Sequence, residues 1–347
     1  MTTAVTALVD PVTAIAHMLS HGFVDDALVA GTFVALACGL VGHFLVLRDQ
    51  VFTGDALSHV AFTGALGALA IGVDLRFGLF VGCVAVALLM GLVGPLGRAG
   101  DVVIGNVFAW LLGLGVFFLT IYTTSRSAGN GGAGTTVLFG SIFGMTRSQA
   151  GAAAAVGAGV ACAVVAIARP LTFASLDPVV AAVHRVPVRA LGLGFLALVG
   201  VAAGEATQVV GALLLLGLLA TPAGAARQLS ASPWRAMWLS AGIAVSSLWA
   251  GVAISYAAPS MPPSFSILAV ATTWYAAASA RGAVHRRAGR GGAHLAPDVG
   301  ARGQPSRASR IPKPSRTAPE SPSILRRARR LVMSRVTRSE ASTITAK

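Results

Sequence analysis

The chain has 347 residues, of which 55% are hydrophobic and 11% are charged, and its mean hydropathy is +0.76. Soluble domains carry about 25% charged residues, so this composition excludes a soluble globular protein and predicts an all-α polytopic membrane protein. The formal net charge is +14, but residues 281–347 contribute +13 of it. The basic character therefore belongs to one carboxyl-terminal segment.

Three regions follow from composition. Residues 1–24 are mildly apolar and predict an interfacial segment, residues 25–280 form the transmembrane domain, and residues 281–347 are rich in Arg, Ser, Pro, Ala and Gly. Such a tail is predicted to be disordered. The basic stretch 325–335 can form a short helix on anionic lipid, whereas no specific motif supports nucleic-acid binding.

The transmembrane domain contains about nine apolar stretches that predict membrane-spanning helices. Residues 138–145 are apolar but too short to span, which indicates a re-entrant or interfacial turn. If the spans alternate, seven arginines fall on one side and three on the other, and the positive-inside rule then places the amino terminus outside and the carboxyl terminus in the cytoplasm. The predicted spans are 27–47, 52–73, 77–97, 102–123, 150–168, 190–204, 209–226, 236–257 and 265–280.

Asp55 and His59 lie within the second predicted span. Ionisable groups are costly at membrane depth, so their presence there favours a functional role. Because they are four residues apart, they share one helix face. A carboxylate and an imidazole so placed can bind a divalent metal, relay a proton, or hydrogen-bond each other to stabilise the bundle.

Two further residues are weaker candidates for metal contact. His43 lies in the first span, where it is either an added ligand or a donor to a neighbouring carbonyl near the cytoplasmic end. Glu205 lies near the outer ends of the sixth and seventh spans. It is a candidate ligand, a partner in a salt bridge to a docking protein, or a solvated side chain.

The segment between the fifth and sixth spans predicts a short cytoplasmic helix. Asp177 and Pro178 are typical of a helix start, with Asp as the cap and Pro in the first turn, and the helix should end before Pro187. The segment is either a plain connection or a projecting helix that receives motion from a separate ATPase. A phosphate-binding loop of the Walker type requires a lysine, and the first lysine in the chain is Lys313, so ATP hydrolysis is expected on another chain.

Four stretches, in this order, resemble the membrane subunits of ABC-type importers of divalent metals, the zinc, manganese and iron permease family. The resemblance runs from about Val24 to Ala280. The most specific stretch is FLVLRDQVFTGDALSHVAFTG, in which Thr63 stands where the family usually has Pro. The stretches are FLVLRDQVFTGDALSHVAFTG (44–64), LFGSI (138–142), LDPVVAAVHRVPV (176–188) and VVGALLLLGLLATPAGAARQL (209–229).

The resemblance implies a transmembrane permease that works as a homodimer in the cell membrane, with a partner ATPase and an extracellular metal-binding protein. Asp55 and His59 would be transient ligands on the pathway of manganese, zinc or iron, and no cofactor would be bound permanently. The coupling segment would include Asp177, Pro178, His184 and Arg185, although the family commonly has a small residue, often Gly, where His184 and Arg185 stand.

Two other kinds of transporter remain open from the sequence. A proton-coupled secondary transporter could use the same Asp55–His59 pair without an ATPase. A permease for chelated iron or cobalamin would need a wide, mostly apolar pathway and would depend little on Asp55.

Overall fold

The computed structural model describes residues 22–94, 97–125, 137–212, 214–258 and 260–293, without the side chains at 23, 125 and 283–293. Every regular element within these ranges is helical, which confirms the predicted fold class. A 3-10 turn at Ile142–Gly144 precedes α5. The α-helices are α1 (Gly22–Leu47), α2 (Val51–Ile71), α3 (Leu75–Val93), α4 (Asp101–Ser125), α5 (Arg147–Leu176), α6 (Pro178–Val183), α7 (Val188–Val209), α8 (Leu215–Leu229), α9 (Pro233–Ala257) and α10 (Pro263–Ala293).

Seven of the described helices are long and apolar enough to cross a membrane, namely α1 to α5, α7 and α9. Helix α8 has 15 residues and is about 22 Å long, which is less than the roughly 30 Å of a hydrocarbon core. Helix α10 continues beyond the predicted end of its span at Ala280 as far as Ala293. Thirteen residues of the predicted disordered tail are therefore helical. The rest of that tail and the predicted interfacial residues 1–21 lie outside the described ranges.

Helix α1 is the most deeply buried of the spans and packs against α5, α7, α8 and α9. Helix α2 packs against α3 and α4 on one side and reaches α7 and α8 on the other. Helix α4 is the least buried of the spans and presents large apolar side chains such as Trp110, which is 72% exposed. The bundle thus has a protein-covered centre and one outer face of α4 that is open to lipid or to another chain.

The segment predicted to be re-entrant lies against the break between α7 and α8. The amide of Ala212 donates to the Val137 carbonyl (3.0 Å), and the amide of Ser141 donates to the Gln208 carbonyl (3.2 Å). These bonds satisfy backbone groups that the break leaves without helical partners, which a non-helical stretch at membrane depth requires. These contacts place residues 137–142 beside the residues that precede α8.

Two glycines allow the backbones of these segments to touch. Gly140 and Gly211 both have positive φ, at +74° and +96°. A Cβ atom on Gly211 would lie 2.4 Å from the Leu138 carbonyl oxygen, and one on Gly140 would lie 2.6 Å from that of Val209. Only glycine fits both the conformation and the space. Two of the four stretches that carry the family resemblance therefore meet at this crossing.

Candidate metal pathway

Helix α2 begins directly after Gln50 and carries Asp55 and His59 one turn apart, as the sequence predicts. Both side chains are half-buried, whereas Thr53 and Ser58 beside them are buried. The Ser58 hydroxyl donates to the backbone carbonyl of Asp55 (2.6 Å), so it leaves the carboxylate free. The helix thus turns one polar face away from the core and toward α4.

That face opens on a cavity of about 500 Å³ between α2 and α4, called here the α2–α4 cavity. Asp55 lines it, and the His59 ring packs edge-on against Phe108 with ring centroids 5.0 Å apart. The lining is otherwise mostly apolar, which strengthens electrostatic interactions inside the cavity. The lining residues are Phe52, Asp55, Asp101, Ile104, Gly105 and Phe108.

Asp101 brings a second carboxylate to this cavity and was not predicted as a site residue. In the sequence it reads as the polar flank of a turn before the fourth span. Its role depends on how α4 lies against α2, which no motif in the chain records. Two carboxylates without a neighbouring cation in the lining favour a positively charged ligand.

No hydrogen bond joins the Asp55 carboxylate or the His59 imidazole to any residue in the described ranges. The interpretation of Asp55 and His59 as a hydrogen-bonded structural pair therefore has no support in this geometry. Nor do the described residues contain a group of three or more His, Cys, Asp or Glu side chains that could hold a metal. One chain thus offers two unengaged ligands, which is an incomplete set for a permanent metal site.

One turn after His59, helix α2 is in close contact with both α3 and α4. A Cβ atom on Gly64 would lie 2.5 Å from the Gly78 carbonyl oxygen, so α2 and α3 cross with their backbones in contact. The Thr63 hydroxyl donates to the Leu111 carbonyl of α4 (3.2 Å). At the position where the family usually has Pro, this chain therefore has a side-chain bond that ties α2 to the other wall of the cavity.

His43 is not among the residues that line the α2–α4 cavity. His43 lies on α1 and is 1% exposed, with its ring edge-on to Phe44. Its Nδ1 atom is buried and has no hydrogen-bond partner among the described residues, so the predicted bond to a carbonyl is not present at that atom.

Glu205 is 4% exposed on α7, and the interpretation of it as a solvated side chain is therefore wrong. It is enclosed because α7 packs against α1, α2, α3 and α5. Arg76 is the cation that interacts with it electrostatically. Three residues further on, Gln208 lines a second cavity of about 230 Å³ together with Arg76, Ser141 and Gln149. Glu205 itself is not among the residues that line this second cavity.

The short helix predicted after Asp177 is present. The Asp177 carboxylate accepts the amides of Val179 (3.0 Å) and Val180 (2.9 Å), and Pro178 opens the six-residue helix α6. The helix ends at Val183 with His184 as its cap, and Arg185 has φ +59°. That left-handed position usually holds glycine, which accounts physically for the small residue common there in the family.

Helix α6 has one covered and one open side. Ala181 is buried in a small cluster with Ala174 and Val188, which fixes α6 to the ends of α5 and α7. Val179 and Val183 are 70% and 78% exposed. Exposed apolar side chains on a helix outside the spans are typical of a contact surface for another protein.

The fold defines a helical protein with several helices that can cross a membrane. The family model described as the ABC 3 transport family matches residues 20–282, and the chain belongs to this family. This confirms the resemblance drawn from the four sequence stretches.

Individual relatives agree with this assignment. The chain is 30% identical over 266 residues to the manganese transport system membrane protein MntC of Halalkalibacterium halodurans, covering 76% of this chain and 88% of that protein. It is 27% identical over 239 residues to a probable iron transport system membrane protein of Haemophilus influenzae, covering 69% of this chain and 86% of that protein. The fold is similar to a chain of the solved structure of PsaBC from Streptococcus pneumoniae in complex with Fab, with a TM-score of 0.65 and 23% identity over 77% of this chain and 94% of that chain.

Proposed function

We propose that the chain is the permease subunit of an ATP-driven importer of divalent transition-metal ions. The observation that carries the proposal is the pair of unengaged ligands, Asp55 and His59, at the α2–α4 cavity in a membrane helix. An ion in transit needs ligands that bind it and release it, and side chains without internal partners meet that need. The carboxylate of Asp101 adds negative charge on the opposite wall.

Manganese, zinc and iron(II) are the proposed substrates. Carboxylate and imidazole ligands suit all three ions. Similarity to proteins named for manganese and iron transport supports a metal ion rather than a chelated or cobalamin substrate. Import is supported by the similarity to the manganese import system permease protein ScaB of Streptococcus parasanguinis.

The chain is proposed to act as a homodimer with two copies of a partner ATPase and an extracellular metal-binding protein. One chain supplies an incomplete ligand set, and the outer face of α4 is apolar and uncovered, so a second copy can complete the pathway. The exposed valines of α6 are the proposed contact for the ATPase. ATP binding and hydrolysis on that subunit would switch the pathway between the two faces of the membrane.

We propose that the protein lies in the plasma membrane and crosses it nine times. The amino terminus would lie outside the cell and the carboxyl terminus in the cytoplasm. This topology adds α8 and α10 to the seven helices that qualify by length and composition. Helix α8 would complete its crossing with the packed segments 137–142 and 210–212. The basic residues after α10 would then lie where anionic lipid is available.

The test is the metal content of metal-limited cells, measured by mass spectrometry, with the partner ATPase present. Cells with the unaltered protein should gain one metal, and Asp55→Ala and His59→Ala at equal membrane abundance should abolish the gain. Asp25→Ala, which removes an exposed carboxylate at the start of α1, is the matched control and should keep it. Full transport by both site variants contradicts the pathway assignment. Uptake that a protonophore stops, and that survives loss of the ATPase, favours a proton-coupled transporter instead.

A further inference from the structure

The connection between α3 and α4 touches both the coupling segment and the walls of the α2–α4 cavity. It includes residues 97–100 and ends where Asp101 begins α4. Arg98 and Ala99 are adjacent in this connection, and each makes a side-chain or backbone bond to a different part of the bundle. This places one short stretch between the two parts of the molecule that a transporter must coordinate.

Arg98 reaches the coupling segment. Its Nη2 atom donates to the carbonyl of Ala174 (2.9 Å) and to that of Ser175 (3.3 Å), both in the last turn of α5. Carbonyls in the last turn of a helix lack partners within the helix, and a cation there is further favoured by the helix dipole. Helix α6 starts two residues after this turn, and Ala174 packs against Ala181 of α6. A displacement of α6 therefore moves the carbonyls that Arg98 holds.

Gln50 links the same connection to α2. The side-chain Nε2 atom of Gln50 donates to the Ala99 carbonyl (3.4 Å). The backbone carbonyl of Gln50 accepts the amide of Thr53 in the first turn of α2. Ala99 is also buried against Ala56, the residue after Asp55, in a cluster that includes Ile104. Movement of the connection is thus passed to both walls of the cavity.

Two arginines interact here, Arg98 in this connection and Arg48 directly after α1, and neither forms an ion pair within the described part of the chain. Arg48 is 6% exposed, lies with its guanidinium carbon 5.3 Å from the ring centroid of Phe195, and has no acidic partner among the described residues. Burial, together with the nearby charge of Arg98, lowers the pKa of Arg48 to about 10, so Arg48 stays charged at neutral pH. The Nε atoms of Arg48 and Arg98 are buried without partners. Such an arrangement costs stability, which favours a functional reason for it.

We infer that Arg98 and Gln50 are positioning residues that couple α6 to the α2–α4 cavity, through the chain of contacts from Ser175 by way of Ala99 to α2. The inference rests on the proposed function, because it concerns how an ATPase bound at α6 would control metal ligation at Asp55. Displacement of α6 would shift Arg98, and through Ala99 and Gln50 it would change the separation of Asp55 from Asp101. The ligands would thereby be brought together or parted as the nucleotide state changes.

The experiment uses the complex of this chain with the ATPase that co-purifies with it, reconstituted in liposomes. Manganese, zinc and iron(II) are each offered, and ATP hydrolysis and metal uptake are measured together. The variants are Arg98→Ala, Arg98→Lys and Gln50→Met, which keeps the side-chain length but removes the donor. Arg235→Ala, at an exposed arginine near the start of α9, is the matched control.

For Arg98→Ala and Gln50→Met we expect ATP hydrolysis within about twofold of the unaltered complex, with metal moved per ATP lower by about tenfold, a typical size for coupling between sites. Arg98→Lys should recover part of the ratio, because an ammonium can still donate to one carbonyl. The double variant with Arg98→Ala and Gln50→Met should move no less metal per ATP than the more impaired of the two single variants, because both residues act in one chain of contacts. Arg235→Ala should keep the full ratio.

Two results would overturn the inference while leaving the proposed function intact. One is that both metal uptake and ATP hydrolysis in Arg98→Ala and Gln50→Met stay at the level of the unaltered complex. The other is an equal loss of hydrolysis and uptake, which a purely structural role produces. If the unaltered complex moves none of the three metals in the presence of ATP, the proposed function fails, and the inference fails with it.

Discussion

The two most informative regions of the molecule are built in opposite ways. At the crossing of residues 137–142 with 208–212, backbone atoms touch, and amides and carbonyls are paired across the contact. At the α2–α4 cavity, Asp55 lines open space and His59 packs edge-on against Phe108, and neither side chain has a hydrogen-bond partner among the described residues. The first arrangement fixes a conformation, whereas the second keeps polar groups available. A rigid frame lets the bundle hold unpaired ligands at membrane depth without collapsing around them.

The largest expected effect is a loss of stability at the crossing. Gly211→Ala puts a methyl group 2.4 Å from the Leu138 carbonyl oxygen at a residue with φ +96°. Overpacking and left-handed strain together should cost about 3 to 5 kcal/mol. Thermal unfolding in detergent should show a lower midpoint, with reduced abundance in the membrane.

Gly242→Ala is the control for this variant, because no atom lies within 4 Å of the position of its Cβ. In the interior of α9 it should leave stability equal or raise it by about 0.5 to 1 kcal/mol. If Gly211→Ala is as stable as Gly242→Ala, the tight crossing is not present in the folded protein.

The opposite pattern is expected at the cavity. Asp55→Asn should lower the rate of metal uptake by about 100-fold or more, because removing a direct ligand should cost at least as much as losing a group that only orients one. The melting temperature should change little, since the carboxylate has no internal hydrogen bond to lose. Uptake and melting are measured on the same preparation. A large drop in melting temperature would mean that Asp55 supports the fold.

A smaller effect is expected at Asp101, whose carboxylate lines the same cavity on the opposite wall. Asp101→Asn should raise the metal concentration at half-maximal uptake by about fivefold, which corresponds to the loss of about 1 kcal/mol of attraction across a partly solvated space. The maximal rate should stay close to that of the unaltered protein. If Asp101→Asn and the control Asp25→Asn change the metal concentration at half-maximal uptake equally, Asp101 does not contribute to the pathway.

The comparison also shows what the sequence can and cannot reveal. The positions of Asp55, His59 and α6 follow from local signals, namely helix periodicity and the Asp177–Pro178 cap. The pairing of Gly140 with Gly211 depends on contacts between residues about 70 positions apart, and the sequence indicates only that residues 138–145 are too short to span. Asp101 and the burial of Glu205 likewise depend on how helices pack, which hydropathy and spacing do not encode.

The smallest expected effect concerns Arg185, where the chain departs from the family. Its φ of +59° closes α6, with the Val186 amide donating to the Ala181 carbonyl (3.1 Å). A residue with a Cβ atom is strained in this conformation by about 1 to 2 kcal/mol, while glycine loses more chain entropy on folding. Arg185→Gly should therefore stabilise the protein by a net of about 0.5 to 1 kcal/mol, measured as a higher melting temperature. Arg185→Ala removes the same charge but keeps the strain, and it should give no such gain. If alanine stabilises as much as glycine, charge repulsion rather than backbone conformation is what burdens this position.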